Sequence, residues 1–253
     1  RIWGLITGSA AFILLLTFLP YYISPKAPAS EASFELVSYN LNTSNRRYRT
    51  VLQYLIDKDP DIVFLMEVDS KWVKKLATLN EKFPYRITHP REDNFGLLLM
   101  SKFHLSDGQI RDDVGSDVPS VSTSINIGEK SIFFLGAHPL PPYGRKGSIA
   151  RNQQLSAFSS VITEMRSDYK ILAGDLNTTP FSHHFKKLMK KASLRDSSLG
   201  HGFQPTWMRH APWFAIPIDH ILVSERLTVE ERVIGDSMGS DHNPIFARIS
   251  FSK

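Results

Sequence analysis

The sequence has no cysteine in its 253 residues, which removes disulfides and thiolate metal sites together. It has no His-Glu-x-x-His pair and no glycine-rich loop followed by Lys and Ser or Thr, so neither of those local signatures of a metalloprotease or a P-loop is present. It shows no internal repeat or low-complexity tract. Charge of either sign is missing from Ile2 to Pro25. What remains is ordinary globular composition, 42% hydrophobic and 22% charged, long enough for one substantial core. The formal net charge is +5, and setting Arg1 and Lys26 aside leaves 28 of the 30 basic residues against 25 acidic ones. An excess of that size does not argue for nucleic acid by itself.

The uncharged stretch runs from Ile2-Trp3 through Leu14-Leu15-Leu16 to Tyr21-Tyr22-Ile23, long and apolar enough to span a bilayer. At ~1.5 Å per helical residue, Trp3 and Tyr21 lie about 27 Å apart, which puts aromatic rings near both interfaces. A packed core helix would need a polar face, and this run has none. A cleaved signal peptide is the rival, because Ala27-Pro28-Ala29 resembles a small-residue cleavage site, but the run exceeds the usual core of ~7–15 residues. The expectation is a retained transmembrane anchor over 1–24, a Pro/Ala/Ser linker over 25–33 and a catalytic domain over 34–253. Only Arg1 precedes the span and Lys26 closely follows it; the domain is expected outside the cytoplasm, with the membrane as partner. The chain opens on Arg1 rather than Met, so further upstream spans are also an expectation.

From Phe34 the pattern alternates between strand and helix. Phe34 to Tyr39 reads as a strand ending on Asn40, Tyr48 to Ile56 as a helix, and Asp61 to Met66 as a buried strand ending on Glu67. Trp72 to Leu79 and Ser148 to Met165 read as helices. Strands are expected at Phe95 to Met100, Val121 to Ile127, Ser131 to Ala137 before His138, Tyr169 to Ala173 before Asp175, Ile216 to Val223 and Ile245 to Phe251. Hairpins mixed with crossover helices predict an α/β fold, a four-layer sandwich of two mixed β-sheets flanked by helices.

The polar residues at these strand ends suit phosphate-ester chemistry, which needs a cation, a polarised water and donors around the phosphoryl oxygens. Asn40, Glu67 and Asp241 offer the carboxylate and amide oxygens that Mg²⁺ or Mn²⁺ accepts. Asp175 and Asn177 stand two apart beyond a strand, able to face one substrate or to make Asx turns. His242 can move a proton near neutral pH, and Asp219 is the carboxylate to fix its tautomer. Adjacent His183 and His184, with Lys186 and Lys187, read as a solvated helix face. Thr206-Trp207 could line a substrate loop or merely pack.

In their order, Ser38-Tyr39-Asn40, Val63-Phe64-Leu65-Met66-Glu67, Gly136-Ala137-His138, Gly174-Asp175-Leu176-Asn177, Ile218-Asp219-His220-Ile221 and Ser240-Asp241-His242 resemble the motifs of the endonuclease/exonuclease/phosphatase superfamily, the deoxyribonuclease I-like group. The resemblance covers about residues 34–251. It implies Glu67 as principal metal ligand, helped by Asn40 and Asp241, and in-line attack of water without a covalent intermediate. It also implies His138 and Asn177 as holders of the phosphate oxygens, while Asp175 and His242 both remain plausible as the base. His138-Pro139-Leu140-Pro141-Pro142, Arg151-Asn152-Gln153-Gln154-Leu155 and the apolar leader resemble the bacterial membrane-anchored branch that includes teicoplanin-resistance proteins. Gly96-Leu97-Leu98-Leu99-Met100-Ser101 departs from the Gly-x-Ala-Ile-Leu-Ser of many members, and no assured equivalent of the nucleases' substrate-contacting Tyr or Arg is found.

The expected function is a divalent-metal-dependent phosphoesterase acting on a membrane-proximal phosphate or pyrophosphate ester, including a lipid-linked one. A nuclease cleaving DNA or RNA is the enzymatic alternative, and a catalytically inactive membrane-tethered binding module the alternative of another class. Nothing in the sequence calls for an obligate protein partner.

Overall fold

The alternation of apolar residues in the first two strands builds two cores at once. In β2 (Ile62–Met66), Ile62, Phe64 and Met66 face a core shared with a second sheet, while Val63 and Leu65 face a core shared with helices. β1 (Ser33–Asn40) divides in the same way, with Phe34 and Leu36 on one side and Val37 and Tyr39 on the other. These strands are buried on both faces, which explains their continuous apolar runs. This computed structural model describes residues 12, 14–23, 32–208 and 211–252.

The first sheet also holds β3 (Tyr85–His89), β4 (Leu97–Ser101), β11 (Leu227–Ile234) and β12 (Ile245–Phe251), in the order β11-β12-β1-β2-β4-β3. The second holds β5 (His104–Arg111), β6 (Ser120–Ile127), β7 (Lys130–Ala137), β8 (Tyr169–Asp175), β9 (Leu194–Asp196) and β10 (Asp219–Ser224), in the order β5-β6-β7-β8-β10-β9. Each sheet has one parallel pair, β1 with β2 and β7 with β8, and antiparallel neighbours elsewhere. The sheets meet through Phe64, Phe134, Ile171 and Ile249. The outer face of the first is covered by α1 (Tyr48–Lys58) and α2 (Ser70–Leu76), with Trp72 fully buried between them. That of the second is covered by α3 (Gly144–Glu164) and α4 (His183–Ala192), through Leu155, Phe158, Phe185 and Leu188. The architecture is therefore two mixed sheets between helices, four layers in all.

Several expected boundaries move. The helix anticipated from Trp72 begins at Ser70, because Asp69 caps it by accepting from Trp72 N at 2.7 Å, and it tightens into a 3₁₀ turn at Ala77–Leu79. The strand anticipated from Ile216 begins at Asp219, Ile216 itself making only an isolated bridge to Trp207. β3, β5, β9 and β11 have no counterpart in the sequence expectation. β3, β5 and β11 lie at sheet edges or carry polar, partly exposed faces, and β9 has three residues, so none shows a strong apolar period.

The anticipated anchor over 1–24 lies in good part outside the described residues, at 1–11, 13 and 24, as does most of the linker over 25–33, at 25–31. Among the described residues no helix is long and apolar enough to cross a membrane. Residues 14–18 are helical and pass into a 3₁₀ turn at Leu19–Tyr21.

Candidate active site

Topology gathers the polar strand ends at one rim. β1 and β2 run parallel, so Asn40 at the end of β1 pairs with Met66, directly before Glu67. β7 and β8 also run parallel, bringing His138 after β7 beside Asp175 at the end of β8. β10 and β12 run antiparallel to β8 and β1, so their first residues lie at the same rim. Asp219 pairs with Asp175 in register, and the turn holding Asp241 and His242 leads into β12 at Ile245.

The resulting cleft has a volume of about 960 Å³ and is lined by Glu67, His138, Asp175, Asn177, Asp241 and His242. Asn40 and Asp219 stand directly behind them. Asn40 is buried and donates from Nδ2 to Glu67 Oε1 at 3.0 Å and to Asp175 Oδ2 at 3.2 Å. Its Oδ1 accepts from Asn42 N at 3.0 Å; acting as a metal ligand toward Glu67 would require a half-turn of the amide. Glu67 Oε2 accepts from both Thr43 N and Thr43 Oγ1 at 2.7 Å. Asp241 accepts from Asn42 Nδ2 at 2.7 Å and from the Trp207 indole at 2.8 Å. Asn42 and Thr43 thus tie the two carboxylates to one short turn after β1.

Two positions hold this geometry through unusual backbone. Glu67 adopts φ 58°, a region uncommon for a residue with a side chain, so the chain turns sharply out of β2 and aims the carboxylate into the cleft. Gly174 has φ 141°, and a Cβ there would stand 1.9 Å from Ala137 O. Only glycine lets β8 lie this close to the end of β7, where His138 follows.

The opposite side of the cleft is a chain of one hydrogen bond and two longer ion-pair contacts. Asp219 Oδ2 is 2.8 Å from His242 Nδ1, and His242 Nε2 is 3.6 Å from Asp175 Oδ2, which also lies 3.5 Å from His138 Nε2. Burial works against charge on His242, but Asp219 and Asp175 outweigh it and raise its pKa to about 10. Burial likewise opposes a charged His138, and Asp175 raises it. Asp175, which burial alone would push up, is held low by His242 and His138. Asp241 is also lowered despite burial, by its bonds from Asn42 and Trp207. The pocket therefore favours the ionised form of Asp175 and Asp241 and the protonated form of His242.

The donors suit two tasks. Glu67 and Asp241, joined by Asn40 after a half-turn of its amide, offer oxygens suited to a hard divalent cation. Asp175, Asp219 and His242 bring one ligand atom each within 4.8 Å of one another and could also hold an ion. Yet His242 Nδ1 is already engaged by Asp219, and that linear chain is the arrangement of a proton relay. Asn177, at φ 50°, donates from its backbone to Asp175 Oδ1 at 2.9 Å and from Nδ2 to Pro139 O at 3.0 Å.

Asn42, Thr43 and Arg151 were not singled out by sequence reasoning as site residues. Arg151 lines the cleft and bonds to Asn177 O; burial lowers its pKa. The polar run Asn40-Leu41-Asn42-Thr43 straight after a buried strand was the available signal for the first two. Trp207 resolves to the cleft wall, and Thr206 Oγ1 accepts from Asp219 N at 3.2 Å, fixing the start of β10. His183, His184, Lys186 and Lys187 lie exposed on α4.

Several solved structures share this fold. TDP2 of D. rerio complexed with single strand DNA product superposes with a TM-score of 0.73 at 17% identity, covering 87% of this chain and 100% of that one. An endonuclease/exonuclease/phosphatase from Bacteroides vulgatus gives 0.72 at 18% identity, covering 88% and 100%. A beta toxin from Staphylococcus aureus gives 0.66 at 21%, covering 87% and 100%. No curated protein sequence matches significantly. The sequence profile of the endonuclease/exonuclease/phosphatase family matches residues 37–242, nearly the whole span that builds the two sheets and all of the cleft residues named above. The chain belongs to the endonuclease/exonuclease/phosphatase family, which joins nucleases and phosphatases, hydrolases of phosphate esters.

Proposed function

We propose that this chain is a divalent-metal-dependent phosphoesterase that hydrolyses a phosphate or pyrophosphate ester by in-line attack of water, acting on membrane-proximal and lipid-linked substrates. The observation that carries the reading is the chain Asp219–His242–Asp175 facing Glu67 and Asp241 across one cleft. A bound Mg²⁺ or Mn²⁺, held by Glu67 and Asp241 with Asn40 assisting, would neutralise charge developing on the phosphoryl oxygens. Asp175 is held ionised and is placed to orient a water and accept its proton. His242, whose protonated form Asp219 and Asp175 favour, is placed to donate a proton to a phosphoryl or leaving oxygen, with His138 beside Asp175, and Asp219 fixes the His242 ring from behind. Asn177 and Arg151 add donors on the Pro139 side. This reading assigns the base role to Asp175 and the acid role to His242, in keeping with the charge arrangement.

The membrane setting rests on the uncharged run from Ile2 to Pro25 and on where its described end sits. Phe18 and Tyr21 pack against Phe181, the neighbour of the cleft-lining Ser182. On this reading the protein is membrane-anchored, of the teicoplanin-resistance type, with its domain outside the cytoplasm. The cleft of about 960 Å³ has room for an ester much larger than free phosphate.

A nuclease is the second reading, favoured by the likeness to the D. rerio TDP2 fold that holds single-stranded DNA product and by Arg46 and Arg151 in the cleft lining. An inactive binding module accounts less well for a buried relay, since ionised groups kept from water without a task are costly. The deciding comparison is kcat/KM for a lipid-linked pyrophosphate in vesicles against single- and double-stranded DNA. Higher values for the lipid support the first reading, and efficient DNA cleavage without lipid phosphate release supports the second.

A further inference from the structure

The end of the N-terminal apolar segment is fastened to the domain. Phe18 stacks edge-on against Phe203 at 5.1 Å and against Phe181 at 5.5 Å, and Tyr21 meets Phe203 at 5.8 Å. Gly200 N donates to Pro20 O at 3.0 Å and Gly202 N to Tyr21 O at 2.6 Å. Tyr21 is 6% exposed, and burial raises its hydroxyl to about 12, Asp196 adding to the effect. Among the described residues of the segment, Leu14, Leu15, Leu16, Tyr22 and Ile23 are all more than half exposed.

A basic edge adjoins this clasp. Ser182, next to Phe181, caps α4, a helix with no acidic residue and with Lys186, Lys187, Lys190 and Lys191 all exposed. None of the four has an ion pair among the described residues. Lys191 bonds Ser160 Oγ on α3 at 2.7 Å, and Lys187 borders the groove between α3 and α4. Lys186 and Lys190 are one turn apart on the same helix, and β9, which follows it, leads to Gly200 and Gly202 under the segment.

We propose that the exposed apolar segment, its aromatic clasp and the lysine edge of α4 together dock on the headgroup layer of an anionic lipid bilayer, holding the cleft wall at residues 178–182 against that layer. Lipid is the occupant because it meets both demands at once. Acyl chains take the leucines and headgroup phosphates take the lysines. Nucleic acid would satisfy the lysines and leave the apolar side chains in water. The inference rests on the membrane setting proposed above, and not on which ester is hydrolysed.

The test uses the full chain in nanodiscs of phosphatidylcholine, with or without phosphatidylglycerol, and reads acetylation rates of single lysines by mass spectrometry. Lys74 on α2, against the other sheet, is the reference. Lys186 and Lys190 are expected to be labelled about fivefold more slowly in the anionic discs, with Lys74 unchanged and the difference lost at high salt. The Phe181→Ala, Phe203→Ala double variant loses that protection while the domain still melts cooperatively. Equal labelling in both discs overturns the proposal, as does a chain that associates with neither, or protection that arises only on adding single-stranded DNA. Protection that persists when lipid-linked pyrophosphate is not hydrolysed leaves the docking standing and removes the substrate reading.

Discussion

Thr43 donates twice to the same oxygen of Glu67, from its backbone N and its Oγ1, both at 2.7 Å. The other carboxylate oxygen accepts from Asn40 Nδ2 at 3.0 Å. Removing one donor while keeping the backbone should loosen the carboxylate without deleting it. Thr43→Val is therefore expected to weaken Mg²⁺ use by about 10–100-fold, as for other groups that orient a metal ligand, and Glu67→Gln to weaken it further. Titrating activity against Mg²⁺ for both variants checks the order.

The His242 relay gives a second expectation. His242→Ala removes a positioned acid–base group and should cost ~10²–10⁴ in kcat. Asp219→Asn leaves the ring in place but loses the carboxylate 2.8 Å from Nδ1, so kcat should fall while KM changes little. Equal losses in kcat and in thermal stability would point to a folding role instead.

Gly174→Ala tests the close approach of β8 to β7. The added Cβ meets Ala137 O, and the φ of 141° is unsuited to a side chain. The expected cost is more than about 1 kcal/mol, with activity lost because Asp175 is displaced. Denaturant unfolding compared with Ala173→Gly, in the same strand, separates the backbone clash from loss of strand propensity.

Behind the cleft, Asp196 is buried 3.8 Å from His220, in the field of the buried Arg232. Burial opposes its ionisation, but His220 and Arg232 hold its pKa below the usual carboxylate value. A lowered carboxylate stabilises the fold above its unfolded pKa of about 3.9, and that contribution fades as pH falls through the lower folded value. Asp196→Asn should thus destabilise the fold at neutral pH, with the gap to the parent closing below about pH 4. Melting curves from pH 7 downward measure it.

Much of this architecture is readable because its central strands are buried on both faces. Runs such as Ile62 to Met66 and Ile132 to Ala137 announce themselves by composition, and the polar residue following each run marks the rim. Edge elements are not readable that way: β11, Leu-Thr-Val-Glu-Glu-Arg-Val-Ile, carries charge on a partly exposed face and contains a register shift between Val229 and Glu231. The supporting donors were hidden for another reason. Asn42 and Thr43 act through a turn whose shape depends on Asn42 at φ 62° and Glu67 at φ 58°, and sequence spacing does not encode which carboxylate such a turn will meet. Asp196 pairs with His220 only because β9 lies beside β10.

The most direct test of the central claim is phosphate release by the purified full chain from lipid-linked pyrophosphates, phospholipids, inositol phosphates and nucleic acids, with Mg²⁺, with Mn²⁺ and with excess chelator. The account predicts hydrolysis of at least one phosphate ester that stops in chelator and falls ~10²–10⁴-fold in His242→Ala. Undiminished hydrolysis in chelator, or in His242→Ala, would contradict it.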